Sequence, residues 1–310
     1  MLARHTSKLL RSSSLLRFLS VPGDPVTSYV RFKGPDGKIR YGQPEQGACP
    51  KTEVRVIEGD IFGDCKLSDR MDVALQILPP IDPVAVYAIG LNYKKHAAEA
   101  KLPIPAFPAV FMKATSSITG PFDDIVVPKC ASQKPEVDYE GELVIVIGKD
   151  CKDVSKEDAL DYVHGYCIGN DVSARRWQGN KKSSGQWTRA KSFDTFSPIG
   201  PQIVLQSQLN SVVDKLQLST RLNDKIMQNS NTSDMIWNVA DIVSFLSEGT
   251  TLKKGTIIFT GTPEGVGFVR KPYVYLKEGD IVRVAIEGLG FIENKVRFEY
   301  ECLLQIQSRD

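Results

Sequence analysis

Val137-Asp138-Tyr139-Glu140-Gly141-Glu142-Leu143-Val144-Ile145-Val146-Ile147 sets two carboxylates at the mouth of a strand whose own composition marks it as buried. Side chains two apart on a strand point to one face, so Glu140 and Glu142 converge while Tyr139 and Gly141 look the other way. The apolar, β-branched run that follows fits a strand covered on both faces. Two acids beside it must be compensated, because burying an unpaired charge is costly.

A third acid, Asp171, follows in Gly165-Tyr166-Cys167-Ile168-Gly169-Asn170-Asp171-Val172-Ser173-Ala174-Arg175, after one intervening helix and at the end of a second short strand. Three oxygen donors without Cys or His suit a hard divalent cation, Mg2+ or Mn2+, better than zinc. Acids at strand ends are commonly only solvated. What favours a metal here is the set of anion and carbonyl binders close behind them: Arg175, Gln178 and Lys191.

Composition narrows the class. At 310 residues the chain can bury a large core, in one large domain or one plus a small one. No apolar run reaches the length of a membrane-spanning helix. A formal charge of +2, with part of the excess in the first twenty residues, leaves no electrostatic footprint for a nucleic acid. The cysteines at 49, 65, 130, 151, 167 and 302 form no Cys-x-x-Cys pair and read as free thiols of a reducing compartment. Arg4, Lys8, Arg11 and Arg17 lie among serines and leucines with no acid before Asp24, the pattern of a mitochondrial transit peptide over residues 1–24. A cytoplasmic location is the alternative.

Residues 25–80 read as a small β-rich domain with a turn at Gly34–Gly37, and the Pro-rich stretch Leu78–Pro83 marks its boundary with a catalytic domain over 81–310. Val84–Ile89 reads as a buried strand turning into a helix. On that helix His96 and Glu99, three apart, can touch. A lone His beside a Glu is structural in most proteins, but this pair directly follows a strand, where sites are often built. Ser155 caps a predicted helix that Gly165 ends, with His164 near its end. The polar stretch Gln178–Gly185 is a candidate lid or plain surface loop. Met235, Ile236, Val239, Ile242, Val243 and Leu246 repeat at helical spacing up to Gly249 and belong to the core. The strand Thr256–Thr260 leads into Gly261-Thr262-Pro263-Glu264-Gly265-Val266-Gly267, which lacks the Gly-Lys-Ser/Thr of a phosphate loop. Thr262 and its neighbouring amides are candidates to meet a substrate carboxylate.

Over residues 84 to 300 the sequence resembles the fumarylacetoacetate hydrolase family. The resemblance rests on Gly-Leu-Asn-Tyr-x-x-His-x-x-Glu, Asp-Tyr-Glu-Gly-Glu-Leu, Asn-Asp-Val-Ser-Ala-Arg, Lys-Ser-Phe-Asp-Thr-Phe and Gly-Thr-Pro-Glu-Gly-Val-Gly, in family order. It implies an α+β, β-rich fold, a mixed β-roll with surrounding helices, usually as a homodimer. It further implies Mg2+ or Mn2+ on Glu140, Glu142 and Asp171, a catalytic pair His96 and Glu99, and Arg175, Gln178, Lys191 and Thr262 near the substrate. The Phe268–Pro272 extension resembles eukaryotic mitochondrial members acting on oxaloacetate. Such a site would act on 2-oxo acids through a metal-stabilised enolate, with Lys191 beside the developing oxyanion and Arg175 on a remote carboxylate. Oxaloacetate tautomerisation is the leading expectation. Acylpyruvate or fumarylpyruvate cleavage, oxaloacetate decarboxylation and non-catalytic binding of 2-oxo acids are the alternatives.

Overall fold

The computed structural model describes residues 22–132, 134–179, 184–210 and 212–299. Almost all of the transit-like segment, Asn180–Ser183 of the candidate lid, and Cys302 lie outside the described residues.

The chain opens with β1 (Ser28–Lys33), β2 (Ile39–Pro44), β3 (Thr52–Gly59), β4 (Cys65–Ala74) and β5 (Gln76–Leu78), followed by β6 (Val86–Gly90), helix α1 (Lys94–Ala100) and β7 (Ala109–Lys113). Next come β8 (Ile118–Thr119), β9 (Ile125–Val127), β10 (Val137–Asp138), β11 (Gly141–Ile147), β12 (Val163–Asn170) and β13 (Ser173–Ala174). Two short helices, α2 (Arg175–Gln178) and α3 (Trp187–Lys191), precede β14 (Ser197–Leu205), β15 (Gln217–Leu222) and β16 (Lys225–Asn231). Helix α4 (Val239–Ser247), β17 (Ile257–Phe259), β18 (Ile281–Ile286) and β19 (Gly290–Phe298) follow, and single helical turns lie at Lys129–Ser132 and Gln206–Leu209.

A 12-stranded sheet runs β4-β3-β2-β1-β14-β12-β11-β17-β6-β7, with β5 on β1 and β8 on β14; a five-stranded sheet runs β16-β15-β18-β19-β9. The N-terminal strands continue the large sheet through β1, where Tyr29 pairs with Ile203. The continuous apolar run of β11 follows from its place between two cores. Leu143, Ile145 and Ile147 pack with Val282, Val284 and Ile292 of the smaller sheet, while Val144 and Val146 pack with Tyr29, Ile199 and Phe259. Glu142 shares the parity of Val144 and emerges on the latter face.

Two local expectations are corrected. Gly165 does not end a helix; it lies within β12, and the segment before it forms only turns and a 3-10 turn over Ala159–Tyr162. A Cβ on Gly165 would sit 2.4 Å from the Val204 carbonyl oxygen, so this glycine admits a neighbouring strand. His164 is therefore a strand residue. Helix α4 starts at Val239 rather than Met235, because Asn238 and Asp241 form a reciprocal capping box that fixes its first turn. Met235 instead makes a β-bridge with Tyr93.

Candidate metal centre and active site

The strand suggested by Val137–Ile147 is broken at Glu140. The amide of Glu140 donates to Asn170 Oδ1 (2.9 Å), and the Asp171 amide donates to the Glu140 carbonyl (2.8 Å). These two bonds, made by the Asn170-Asp171 pair as it leaves β12, bring Asp171 beside the acids of β11. Glu140, Glu142 and Asp171 are all buried, and each offers an oxygen within 4.8 Å of the others.

Two lysines and an arginine surround this triad. Lys191, at the end of α3, donates to Glu140 Oε2 (2.7 Å), Asp171 Oδ2 (2.5 Å) and Ser173 Oγ (2.7 Å). Lys113, at the end of β7 and fully enclosed, donates to Asp171 Oδ1 (2.5 Å), to the Phe196 carbonyl (3.2 Å) and to the Lys191 carbonyl. Arg175 donates from Nε and Nη2 to Asp138 Oδ2 (2.9 and 2.8 Å), from Nη2 to Glu140 Oε1 (2.5 Å) and from Nη1 to Gln178 (3.0 Å), and it stacks on Phe268.

The balance of these charges differs across the triad. Burial pushes the Glu140 carboxyl up, but Arg175 and Lys191 outweigh it and hold that group below the usual carboxylate range. Glu142 has no such neighbour in contact. Burial, then the facing Asp171 and Glu140, raise it well above the usual range. A cation among the three would relieve that repulsion, and a set of three carboxylates suits Mg2+ or Mn2+. The residues present fit the ion the sequence suggested.

The loop after β17 uses its amides on carboxylates of the chain. Gly261 N donates to Glu142 (2.7 Å), Gly265 N to Glu99 (2.8 Å), Gly267 N and Phe268 N to the two oxygens of Asp138 (2.8 and 3.0 Å). Thr262 donates its hydroxyl proton to the Gly141 carbonyl (3.1 Å) and accepts from Gln228 (2.8 Å). These groups build the site's frame, and Thr262, for which the sequence suggested contact with a substrate carboxylate, also lines the cavity. Arg175 likewise meets two acids of the chain before any remote substrate carboxylate.

His96 and Glu99 lie on α1, their Nδ1 and Oε2 atoms 3.8 Å apart. His96 Nδ1 is buried with no hydrogen-bond partner among the described residues. Burial lowers the imidazole below its ordinary pKa, against the opposing pull of Glu140, which favours the neutral ring that can accept a proton. Helix α1 is anchored from below by Asn92, whose side chain donates to the Trp237 and Thr260 carbonyls (3.0 and 2.7 Å).

A cavity of about 130 Å3 collects His96, Glu140, Glu142, Asp171, Arg175, Gln178, Lys191 and Thr262 on one wall system. Glu99 stands behind His96 and is absent from the lining. Sequence reasoning missed Lys113, Asp138, Phe111 and Trp187. For Asp138 a signal existed, since it shares the two-residue spacing of Glu140 and Glu142. For Lys113 there was none, because its partner lies 58 residues away.

A match to the family described as fumarylacetoacetate (FAA) hydrolase C-terminal spans residues 85–297. A Dictyostelium discoideum fumarylacetoacetate hydrolase domain-containing protein is 50% identical over 230 residues, covering 72% of this chain and 74% of its own. A Xenopus laevis protein described as a mitochondrial oxaloacetate tautomerase is 44% identical over 223 residues, covering 72% of this chain and 68% of its own. Among solved structures, a 2-hydroxyhepta-2,4-diene-1,7-dioate isomerase from Mycobacterium marinum superposes with a TM-score of 0.75 at 38% identity, over 88% of this chain and 99% of its own. The match holds across β6 to β19, the part of the chain that supplies every wall of the cavity, and the chain belongs to the fumarylacetoacetate hydrolase family.

Proposed function

We propose that this protein is a Mg2+- or Mn2+-dependent enzyme of 2-oxo dicarboxylic acids, and specifically an oxaloacetate keto–enol tautomerase. The observation that carries the reading is the meeting, in one small cavity, of three buried carboxylates with a histidine whose buried Nδ1 has no hydrogen-bond partner among the described residues. The tautomerase activity named for the Xenopus laevis relative supports the choice of substrate.

Glu140, Glu142 and Asp171 would hold the cation, which when bound supplies Lewis-acid stabilisation of enolate charge on a 2-oxo acid. His96 takes the proton from C3 of the keto form to leave an enolate, and its conjugate acid, facing Glu99, delivers that proton to the enolate oxygen to give the enol; the reverse transfers return the keto form. Lys191, with Arg175, holds the Glu140 carboxyl below its usual range, pairs with Asp171, and adds positive charge beside the oxygen that becomes anionic. Lys113 fixes the other oxygen of Asp171. The apolar walls, Leu91, Phe111 and Phe268 among them, exclude bulk water and strengthen these interactions.

A mitochondrial setting is part of the proposal, supported by the basic, Ser-rich first segment and by the relative's description as mitochondrial. We also read the active form as a homodimer, from the family resemblance. The purified protein with Mg2+ should convert enol-oxaloacetate faster than it releases a cleaved acid from any acylpyruvate. Faster cleavage would replace the tautomerase reading with C–C bond hydrolysis; an Exiguobacterium antarcticum protein described as a fumarylacetoacetate hydrolase shares the fold at 34% identity and a TM-score of 0.72.

A further inference from the structure

The cavity lining is of two kinds. Carboxylates, Lys191 and Arg175 meet one part of an occupant; Leu91, Leu102, Phe111 and Trp187 meet another. Helix α3 orders them in space. Trp187 and Lys191 are four residues apart, so they share a face of the helix about 6 Å apart along its axis. The Phe111 ring stands between them, 5.1 Å from the Lys191 ammonium and edge-on to the indole at 5.5 Å. Trp187 therefore lies within reach of the far end of an acid held at the carboxylate end.

The indole is seated by a glycine. A Cβ on Gly90, the last residue of β6, would lie 2.3 Å from Cζ3 and 3.0 Å from Cη2 of Trp187. The benzo ring thus rests directly on the Gly90 backbone, a position that any larger residue would deny it. The remaining space is about 130 Å3, below the roughly 300–1,000 Å3 of pockets that take drug-sized ligands.

We propose that Trp187, seated on Gly90, is the specificity-determining residue that limits the size of the substrate's far end, admitting short 2-oxo acids and rejecting those with a bulky acyl or aryl group. This rests on the 2-oxo acid reading above. Its test is calorimetric titration, in Mg2+, of two probes into the full-length protein and into Trp187→Ala and Trp187→Phe. Oxalate reports the chelating end alone, and N-phenyloxamate adds a ring at the far end.

Oxalate should bind all three proteins within about threefold. N-phenyloxamate should gain tenfold or more in Trp187→Ala, on the scale by which apolar pockets discriminate added groups, and less in Trp187→Phe, which removes only the ring on Gly90. If oxalate binds all three and the phenyl probe keeps its relative affinity, the proposal is overturned while the 2-oxo acid reading stands. Loss of oxalate binding in both variants overturns it too, since Trp187 would then support the chelating end. Failure of oxalate to bind the unaltered protein overturns the functional reading and the proposal with it.

Discussion

His96 and Glu99 face each other across 3.8 Å without a hydrogen bond, because Glu99 Oε2 accepts instead from the Gly265 amide at 2.8 Å. An unpaired buried nitrogen costs about 1–3 kcal/mol, which a core histidine would have no reason to sustain. His96→Gln should leave the fold intact and lower turnover by roughly 100-fold to 10,000-fold, the range typical of general acid–base groups. Glu99→Gln should act in the same direction, and the double variant should lose less than the product of the two losses. Equal turnover per folded molecule in His96→Gln would assign the ring to the core.

Removal of one charge separates metal binding from stability. Glu142 is the triad member that burial and like charge press hardest toward the neutral form. Without metal, Glu142→Gln should be at least as stable as the unaltered protein. Mg2+ at about 100 times its dissociation constant should stabilise the unaltered protein by about 2.7 kcal/mol, and this gain should be largely absent in Glu142→Gln. Calorimetric Tm with and without Mg2+ measures both; an equal Mg2+ shift in the two proteins would remove Glu142 from the cation site.

Asp138 is fully enclosed and accepts from Tyr139 N, Gly267 N, Phe268 N and two nitrogens of Arg175. Its removal leaves a buried guanidinium whose hydrogen-bond partners among the described residues are Glu140 and Gln178. Asp138→Ala should cost about 3–5 kcal/mol, as breaking a buried ion pair does, read from urea denaturation midpoints. A loss under about 1 kcal/mol, the usual value of a surface pair, would show that the glycine loop and Arg175 hold their places without it.

His164 supplies a pH dependence remote from the triad. It packs against Phe62, meets the Tyr29 hydroxyl at 3.2 Å, and burial lowers its pKa to about 4 against a slight opposing effect of Asp60. The folded state then binds fewer protons than the unfolded one between about pH 6.5 and pH 4. Its contribution to stability is full above that window and lost as pH falls through it, up to about 3 kcal/mol. Denaturation midpoints of His164→Gln should depend less steeply on pH across this interval; identical slopes would place the ring in solvent contact.

The main features of the site could be read before the fold because they are local. The two-residue spacing of Glu140 and Glu142, the apolar run behind them and the three-residue spacing of His96 and Glu99 all lie within short stretches of the chain. Capping of α4 by Asn238 was equally available in principle, yet the apolar repeat drew the helix start back to Met235. Gly165 was misread for a physical reason: a glycine signals a helix stop and a close strand approach alike, and only the Val204 carbonyl opposite it decides. Contacts between distant segments stayed out of reach. Lys113 carries no local mark of burial, and nothing in Arg175's surroundings announced that Gly267 and Phe268 would share its acid.

The most direct test follows the decay of enol-oxaloacetate by ultraviolet absorbance with three preparations: metal-stripped protein, the same protein with Mg2+ restored, and His96→Gln with Mg2+. Catalysis above the solution rate should appear only in the second. Undiminished turnover by the stripped protein, or by His96→Gln, would contradict a site in which the three carboxylates hold the cation and His96 moves the proton.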